Sequence, residues 1–238
     1  NILWPGNIKW YAKSSGTTND KSKFIPVSHE GLQRIHYKGG ADVVALYLRN
    51  TPKSKLFDGK SLILGGSHSP NYNLAGSLVG DLSAILIENI NPFANLVRVP
   101  AKKTALLSDF EVKRDRIAQE TLGKNITNIS GVPSWMLSVL VRIMELSGKE
   151  HLEEVWPNLE VFFHGGIAFT PYRKQYEKLI TKSDMHYMET YNASEGFFGI
   201  QDDPSDSSML LMIDYAVFYE FIPMEEFGKD NHTAAPLS

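Results

Sequence analysis

The chain has 238 residues, of which 42% are hydrophobic and 21% charged, so it can bury a substantial core in one large domain or two small ones. Its net charge of −3 and its lack of lysine or arginine runs argue against a nucleic-acid partner. The absence of cysteine excludes disulfides and thiol catalysis, and no apolar run is long enough to cross a membrane. We therefore expect a cytoplasmic protein that binds neither nucleic acid nor membrane.

The first part of the chain predicts short strands and helices in alternation. Residues 8–11 are apolar and aromatic, which is typical of a strand, and residues 28–50 have a helical pattern that Gly39-Gly40 interrupts. Residues 61–64 predict a buried strand that ends in a glycine turn, and residues 80–88 a short helix.

The next two helices are indicated by their first residues. Ser108 and Glu111 have the spacing of a capping box, which predicts that a helix begins there. Pro133 suits the first position of a helix over residues 133–147, and that helix is apolar on most sides. Its Trp135 is therefore expected in the core.

The remaining pattern predicts the fold class. It consists of strands at residues 126–130, 160–163 and 187–191, a helix capped by Thr170, and a terminal hairpin of strands at residues 209–213 and 216–222. Strands that alternate with helices predict an α/β fold whose central, mostly parallel sheet is flanked by helices. The hairpin predicts a mixed edge.

Residues 14–23 have the composition of a phosphate-binding loop. Gly16 allows the backbone to approach an anion closely, so that successive N–H groups can surround it. Hydroxyl donors and a positive charge come from Ser14, Ser15, Thr17, Thr18 and Lys23. The Walker spacing is absent, and a flexible surface loop that binds nothing is the alternative interpretation.

Two further turns follow predicted strands, where ligands bind in open α/β sheets. Gly165-Gly166 offers backbone without side chains, against which a flat ring can lie. Tyr191 offers a ring that can stack on a purine, and Glu195 offers the hard oxygen ligand that Mg2+ prefers. Taken singly, a tight turn, a core tyrosine and a solvated glutamate are the alternatives.

The ordered set of motifs resembles the adenylate-forming enzymes, which include acyl-CoA synthetases and luciferases. Residues 14–23 are similar to their first phosphate-loop motif, Gly165-Gly166-Ile167 to their adenine-facing segment, and residues 191–195 to their Tyr-Gly-x-Thr-Glu motif. Together with Gly-Val-Pro-Ser-Trp at residues 131–135 and Phe-Tyr-Glu-Phe-Ile-Pro at residues 218–223, they most resemble the auxin-responsive acyl-acid-amido synthetases in their bacterial form.

This resemblance implies an ATP-dependent ligase. A carboxylic acid would be activated as an acyl-adenylate with the aid of Mg2+, and the acyl group would pass to an amine such as an amino acid, with release of AMP. The implied roles are phosphate contacts for Ser14, Ser15, Gly16, Thr17, Thr18 and Lys23, adenine contacts for Gly165, Gly166, Ile167 and Tyr191, an α-phosphate contact for Ser194, and Mg2+ binding for Glu195. Of these residues, Lys23, Ser194 and Glu195 are implied to be catalytic.

Two departures from the family pattern matter. The loop continues Asn-Asp-Lys-Ser-Lys rather than Gly-x-Pro-Lys, which favours amide synthesis over thioester synthesis. The later Tyr-Arg-x-Gly-Asp motif has no counterpart, so residues 1–238 are expected to be the middle portion of the large N-terminal adenylating domain, without the small C-terminal domain and inactive alone. An acyl-CoA ligase and a noncatalytic nucleotide-binding module are the alternatives.

Overall fold

The computed structural model, which describes residues 6–14, 23–71, 76–229 and 233–236, alternates strands and helices. Its strands are β1 (Trp10–Ser14), β2 (Lys23–Val27), β3 (Lys60–Ile63), β4 (His68–Pro70), β5 (Leu78–Gly80), β6 (Arg98–Val99), β7 (Ile126–Gly131), β8 (Val161–Gly165), β9 (His186–Ala193), β10 (Gly196–Ile200), β11 (Leu210–Leu211), β12 (Glu220–Phe221) and β13 (Ala235–Pro236). Its helices are α1 (His29–Gly31), α2 (Lys38–Asn50), α3 (Leu82–Asn89), α4 (Pro92–Val97), α5 (Lys102–Ala105), α6 (Phe110–Thr121), α7 (Pro133–Ser147) and α8 (Thr170–Leu179). A π-helix spans Leu32–Tyr37, and 3-10 turns span Leu56–Asp58, Leu152–Glu154 and Met224–Glu226.

Within the described ranges, a central sheet of seven strands has the order β11-β10-β9-β8-β7-β3-β6. The strands from β6 to β9 in that order run parallel, whereas β10 and β11 are antiparallel to their neighbours. The predicted α/β class, with a mostly parallel sheet and a mixed edge, is confirmed.

Helices cover both faces of this sheet. Successive side chains of a strand point to opposite faces, so Phe162 packs towards α7 and α8 while its neighbours Val161 and Phe163 pack towards α2. On the first face the core includes Met136 of α7, and on the second it includes Tyr47 of α2. Burial on both faces explains why β8, in the middle of the parallel strands, begins with three consecutive apolar residues.

A second sheet has the order β2-β1-β5-β4. The β1–β2 hairpin is antiparallel, and Ser14 pairs with Lys23 at its end. Trp10 and Ala12 of β1 pack with Ile85 of α3, which attaches this sheet to the rest of the fold.

The mixed edge is built from strands other than those expected. The hairpin predicted between residues 209–213 and 216–222 is wrong, because β11 pairs with β10, and β12 pairs with β13. The edge hairpin is instead β9–β10. Two glycines in the Gly196–Ile200 segment conceal β10 in the sequence, because glycine is usually depleted in strands.

The predicted interruption at Gly39-Gly40 is also wrong, since α2 continues through both residues. A Cβ on Gly39 would lie 2.4 Å from Cδ2 of Phe197, so this glycine allows the helix to approach β10 closely. The glycine pair therefore serves packing and does not end the helix.

Two helix starts and one core assignment need correction. Asp109, one residue after the predicted Ser108, caps α6, because its Oδ1 accepts from the Val112 N–H at 3.1 Å. Thr170 lies inside α8, and its neighbour at the cap position makes no side-chain cap bond. Trp135 is 52% exposed and packs edge-on against Phe110, so its predicted core position is wrong. Of the helices in the described ranges, none combines the length and apolarity that a bilayer span needs.

Candidate functional site

Four neighbouring parallel strands of the central sheet end at one edge. The final residues of β3, β7, β8 and β9 are Ile63, Gly131, Gly165 and Ala193. Gly131 pairs with His164, and Gly165 with Thr190, so these strand ends lie side by side. Open α/β sheets bind ligands at this carboxyl edge. Two of the three predicted motifs lie there, at the ends of β8 and β9.

The Gly165-Gly166 turn lies directly against the strand that leads to Tyr191. A Cβ on Gly165 would lie 2.3 Å from the carbonyl oxygen of Thr190, which no other residue would tolerate. Gly166 has φ +84°, in the left-handed region that favours glycine. The Thr190 hydroxyl donates to the carbonyl oxygen of His164 at 3.2 Å. The structure therefore brings the predicted adenine-facing segment, with its half-exposed Ile167, next to the predicted Tyr191 motif.

Residues 191–195 form the end of β9 and the turn into β10. Ala193 pairs with Gly196, so Ser194 and Glu195 occupy the turn between them. Tyr191 is 55% exposed, and its ring centroid lies 5.1 Å from that of Phe198. Glu195 is exposed, and no ion pair joins it to another described residue. An aromatic face and a carboxylate are thus both open to a ligand at this turn.

A buried histidine that the sequence analysis did not single out holds the same turn. His36, in the π-helix, is 6% exposed, and its Nδ1 lies 2.9 Å from Oδ1 of Asn192. Burial lowers the pKa of His36, so the ring is neutral at pH 7. Because an amide oxygen only accepts, Nδ1–H is the donor. Its signal in the sequence is its position four residues after the buried Leu32, on the apolar side of the helical run.

A buried lysine orients the glycine turn after β3. The Nζ of Lys113 donates to the carbonyl oxygens of Gly65 and Gly66, at 2.9 Å each. Burial lowers the pKa of Lys113. In the sequence, Lys113 lies three residues after Phe110 and four before Ile117, so a charge on the apolar stripe of α6 was the available signal.

The residue before Gly165 belongs to the core beneath the edge. His164 is 2% exposed, stacks on Phe169 at 4.3 Å, and its two ring nitrogens find no hydrogen-bond partner in the described part of the chain. Burial, with the nearby Arg173, lowers the pKa of His164 to about 4. The ring is therefore neutral and packs as an aromatic side chain.

The predicted phosphate loop is described only at its ends. Ser14 and Lys23 face each other across the β1–β2 hairpin, and Lys23 is exposed. The other predicted phosphate contacts, Ser15, Gly16, Thr17 and Thr18, lie outside the described residues. The phosphate role of this loop stays a prediction.

The described residues contain no cluster of three or more histidine, cysteine, aspartate or glutamate side chains that could hold a metal ion. Mg2+ in nucleotide sites is usually held by one or two carboxylates together with the substrate phosphates. The single open carboxylate of Glu195 fits that kind of site.

Comparison with known proteins decides the family. Residues 1–185 match the family model described as the GH3 family N-terminal domain. The chain belongs to the GH3 family. The resemblance found in the sequence motifs is thereby confirmed.

Solved structures support the same fold for this GH3 chain. It is similar to a structure of "GH3.15 acyl acid amido synthetase", with a TM-score of 0.67 and 16% identity over 90% of this chain and 46% of that one. It is also similar to "AtGH3.15 acyl acid amido synthetase in complex with 2,4-DB", with a TM-score of 0.71 and 18% identity over 97% of this chain and 48% of that one. The chain spans about half the length of these two structures. A comparison with curated proteins finds no match.

Proposed function

We propose that the intact protein activates a carboxylic acid with ATP and transfers the acyl group to an amine, giving an amide. One observation carries this proposal. In a chain of the GH3 family, the Gly165-Gly166 turn and the Tyr191 motif lie side by side at the carboxyl edge of the sheet, joined by contacts of Gly165 and His164 with Thr190.

The first step would form an acyl-adenylate. A carboxylate oxygen attacks the α-phosphorus of ATP, the bond to the β-phosphate breaks, and pyrophosphate leaves. An anion here attacks an anion, so preorganised donors and a metal ion must offset the charge. In this proposal Glu195 holds Mg2+ and Ser194 contacts the α-phosphate. The other phosphates are contacted by Lys23 and by the hydroxyls of Ser14, Ser15, Thr17 and Thr18.

The adenine would lie against the glycine turn. Gly165 and Gly166 present backbone, Ile167 presents a half-exposed apolar side chain, and Tyr191 presents an exposed ring. These groups supply stacking and apolar contact and carry no charge, as suits a neutral base.

In the second step the amine nitrogen attacks the acyl carbon, AMP leaves, and the nitrogen loses a proton. No side chain needs to act as a nucleophile. The loop sequence Asn-Asp-Lys-Ser-Lys supports an amine acceptor, such as an amino acid, over the thiol of coenzyme A.

The test is ATP–pyrophosphate exchange by the intact protein, combined with hydroxylamine trapping of the acyl-adenylate. We expect Glu195→Gln to reduce exchange by about 10²-fold, because a carboxamide binds Mg2+ far more weakly than a carboxylate. Glu150→Gln, at an exposed glutamate after α7, is the matched control and should leave exchange unchanged.

Two results would contradict the proposal: no exchange with any carboxylic acid, or an unchanged rate for Glu195→Gln. Comparison of coenzyme A with amino acids as acceptors separates thioester from amide synthesis. We also propose that residues 1–238 form part of the large adenylating domain and do not support exchange alone, which the same assay on this chain examines.

A further inference from the structure

We propose that His36 is a positioning residue for the proposed nucleotide site, and that it holds the Ser194–Glu195 turn through Asn192. This inference rests on the proposed function and extends it to a helix that none of the sequence motifs includes.

The helix contacts both strands of the hairpin that carries the turn. His36 donates to Asn192 of β9 at 2.9 Å, and Gly39, three residues later, lies against the ring of Phe197 of β10. Asn192 and Phe197 are paired across the β9–β10 hairpin. Residues three apart lie on one helix face, so a single face grips the hairpin just before its turn.

The local geometry of this helix is unusual. The π-helix of six residues, Leu32–Tyr37, is inserted between the α-helical segments α1 and α2 and contains neither glycine nor proline. Single π-turns inside α-helices occur often at functional sites, because they redirect side chains that a regular helix would aim elsewhere. His36 is the buried polar side chain of this segment, and Asn192 is its partner.

The same stretch of chain also closes the predicted phosphate loop. Lys23 begins β2, Ser28 accepts from the Gly31 N–H at 3.0 Å and caps α1, and the π-helix follows. Val27 of β2 and Leu32 of the π-helix share one buried cluster with Trp10 of β1. One continuous segment therefore joins the end of the phosphate loop to the turn that carries Glu195.

A double-mutant cycle tests this role in the intact protein. We expect His36→Ala to raise the KM for ATP and the Mg2+ concentration that gives half-maximal exchange by about fivefold each, which is the typical net value of one hydrogen bond. The KM for the carboxylic acid should change much less. Asn192→Ala should have the same effect, and the double variant should lose no more than either single variant.

Two further variants separate positioning from a general loss of structure. His36→Asn places an amide N–H near the position of Nδ1, so it should restore most of the ATP affinity. Tyr47→Phe is the matched control, since Tyr47 lies in the same helical run and its hydroxyl contacts His186 at the opposite end of β9, 3.0 Å away. It should leave both the KM for ATP and the Mg2+ dependence unchanged.

Additive effects in the double variant, or an equal change from Tyr47→Phe, would overturn the role of His36. If the wild-type protein shows no ATP–pyrophosphate exchange, the proposed function itself fails, and amide hydrogen exchange then tests the positioning contact. His36→Ala should speed amide hydrogen exchange in a peptide covering residues 190–199, whereas Tyr47→Phe should not. An unchanged rate of amide hydrogen exchange in His36→Ala would refute the contact.

Discussion

Gly39 and Gly40 form a matched pair that measures how tightly α2 packs against the β9–β10 hairpin. A Cβ on Gly39 would lie 2.4, 2.6 and 2.8 Å from three atoms of the Phe197 ring, whereas a Cβ on Gly40 would meet no atom within 4 Å. Both residues are helical, and neither has a positive φ. Replacement of either glycine with alanine therefore adds the same helix propensity, about 1 kcal/mol.

The two alanine variants should differ in sign. Gly40→Ala should raise the free energy of unfolding by about 1 kcal/mol, because propensity alone acts there. Gly39→Ala should lower it by up to about 2 kcal/mol, since overpacking costs about 1–3 kcal/mol and propensity returns about 1 kcal/mol. Propensity cancels in the difference between the variants, so that difference of about 1–3 kcal/mol is the cost of the contact with Phe197.

The assay is urea unfolding followed by far-UV circular dichroism, with the dependence on urea concentration compared between variants. Phe197→Leu in the Gly39→Ala background should recover part of the loss, because the smaller side chain leaves room for the new methyl group. Equal stabilities for Gly39→Ala and Gly40→Ala would refute the close approach of α2 to β10.

Two other predictions concern stability alone. Asp109→Ala should lower the free energy of unfolding, measured in urea, by about 1 kcal/mol, because the cap bond to Val112 is lost. Ser108→Ala should leave it almost unchanged. The opposite order of the two effects would show that Ser108 is the cap. His164 is neutral when folded, with its pKa lowered to about 4 from the ordinary 6.5, so the unfolded state binds more protons between these values and stability falls as pH drops through that window. The free energy of unfolding should fall by about 3 kcal/mol at most through this change. In His164→Phe, the free energy of unfolding measured between pH 7 and pH 4 should depend less on pH than in the wild type. The same dependence on pH in both proteins would show that His164 does not titrate in this window.

Local pattern predicted the elements whose cause lies within a few residues of chain. Pro133 begins α7 as expected, because its ring suits the first helical position whatever the rest of the chain does. The apolar run before His164 forms β8, the strand predicted at residues 160–163. The glycine pair Gly165-Gly166 was expected to lie at the carboxyl edge of the sheet. It does, because it follows the apolar run of β8 and so lies where that parallel strand ends.

The misses at Gly39, β10 and Trp135 share one cause, which is packing between distant segments. Gly39 resembles a helix breaker until the ring of Phe197 is placed against it, and β10 resembles a loop until β9 and β11 supply its hydrogen-bond partners. Trp135 is apolar enough for the core, but its position on α7 faces outward against Phe110.

The order of residues along the chain predicts the α/β class, the family resemblance and the residue types of the proposed site. The folded structure adds that the glycine turn and the Tyr191 turn are neighbours and that His36 and Lys113 support this edge. His36 and Asn192 are 156 residues apart in the chain. A hydrogen bond between residues so far apart in the chain depends on how helices pack against the sheet. The pattern of residues around His36 or around Asn192 therefore does not predict it.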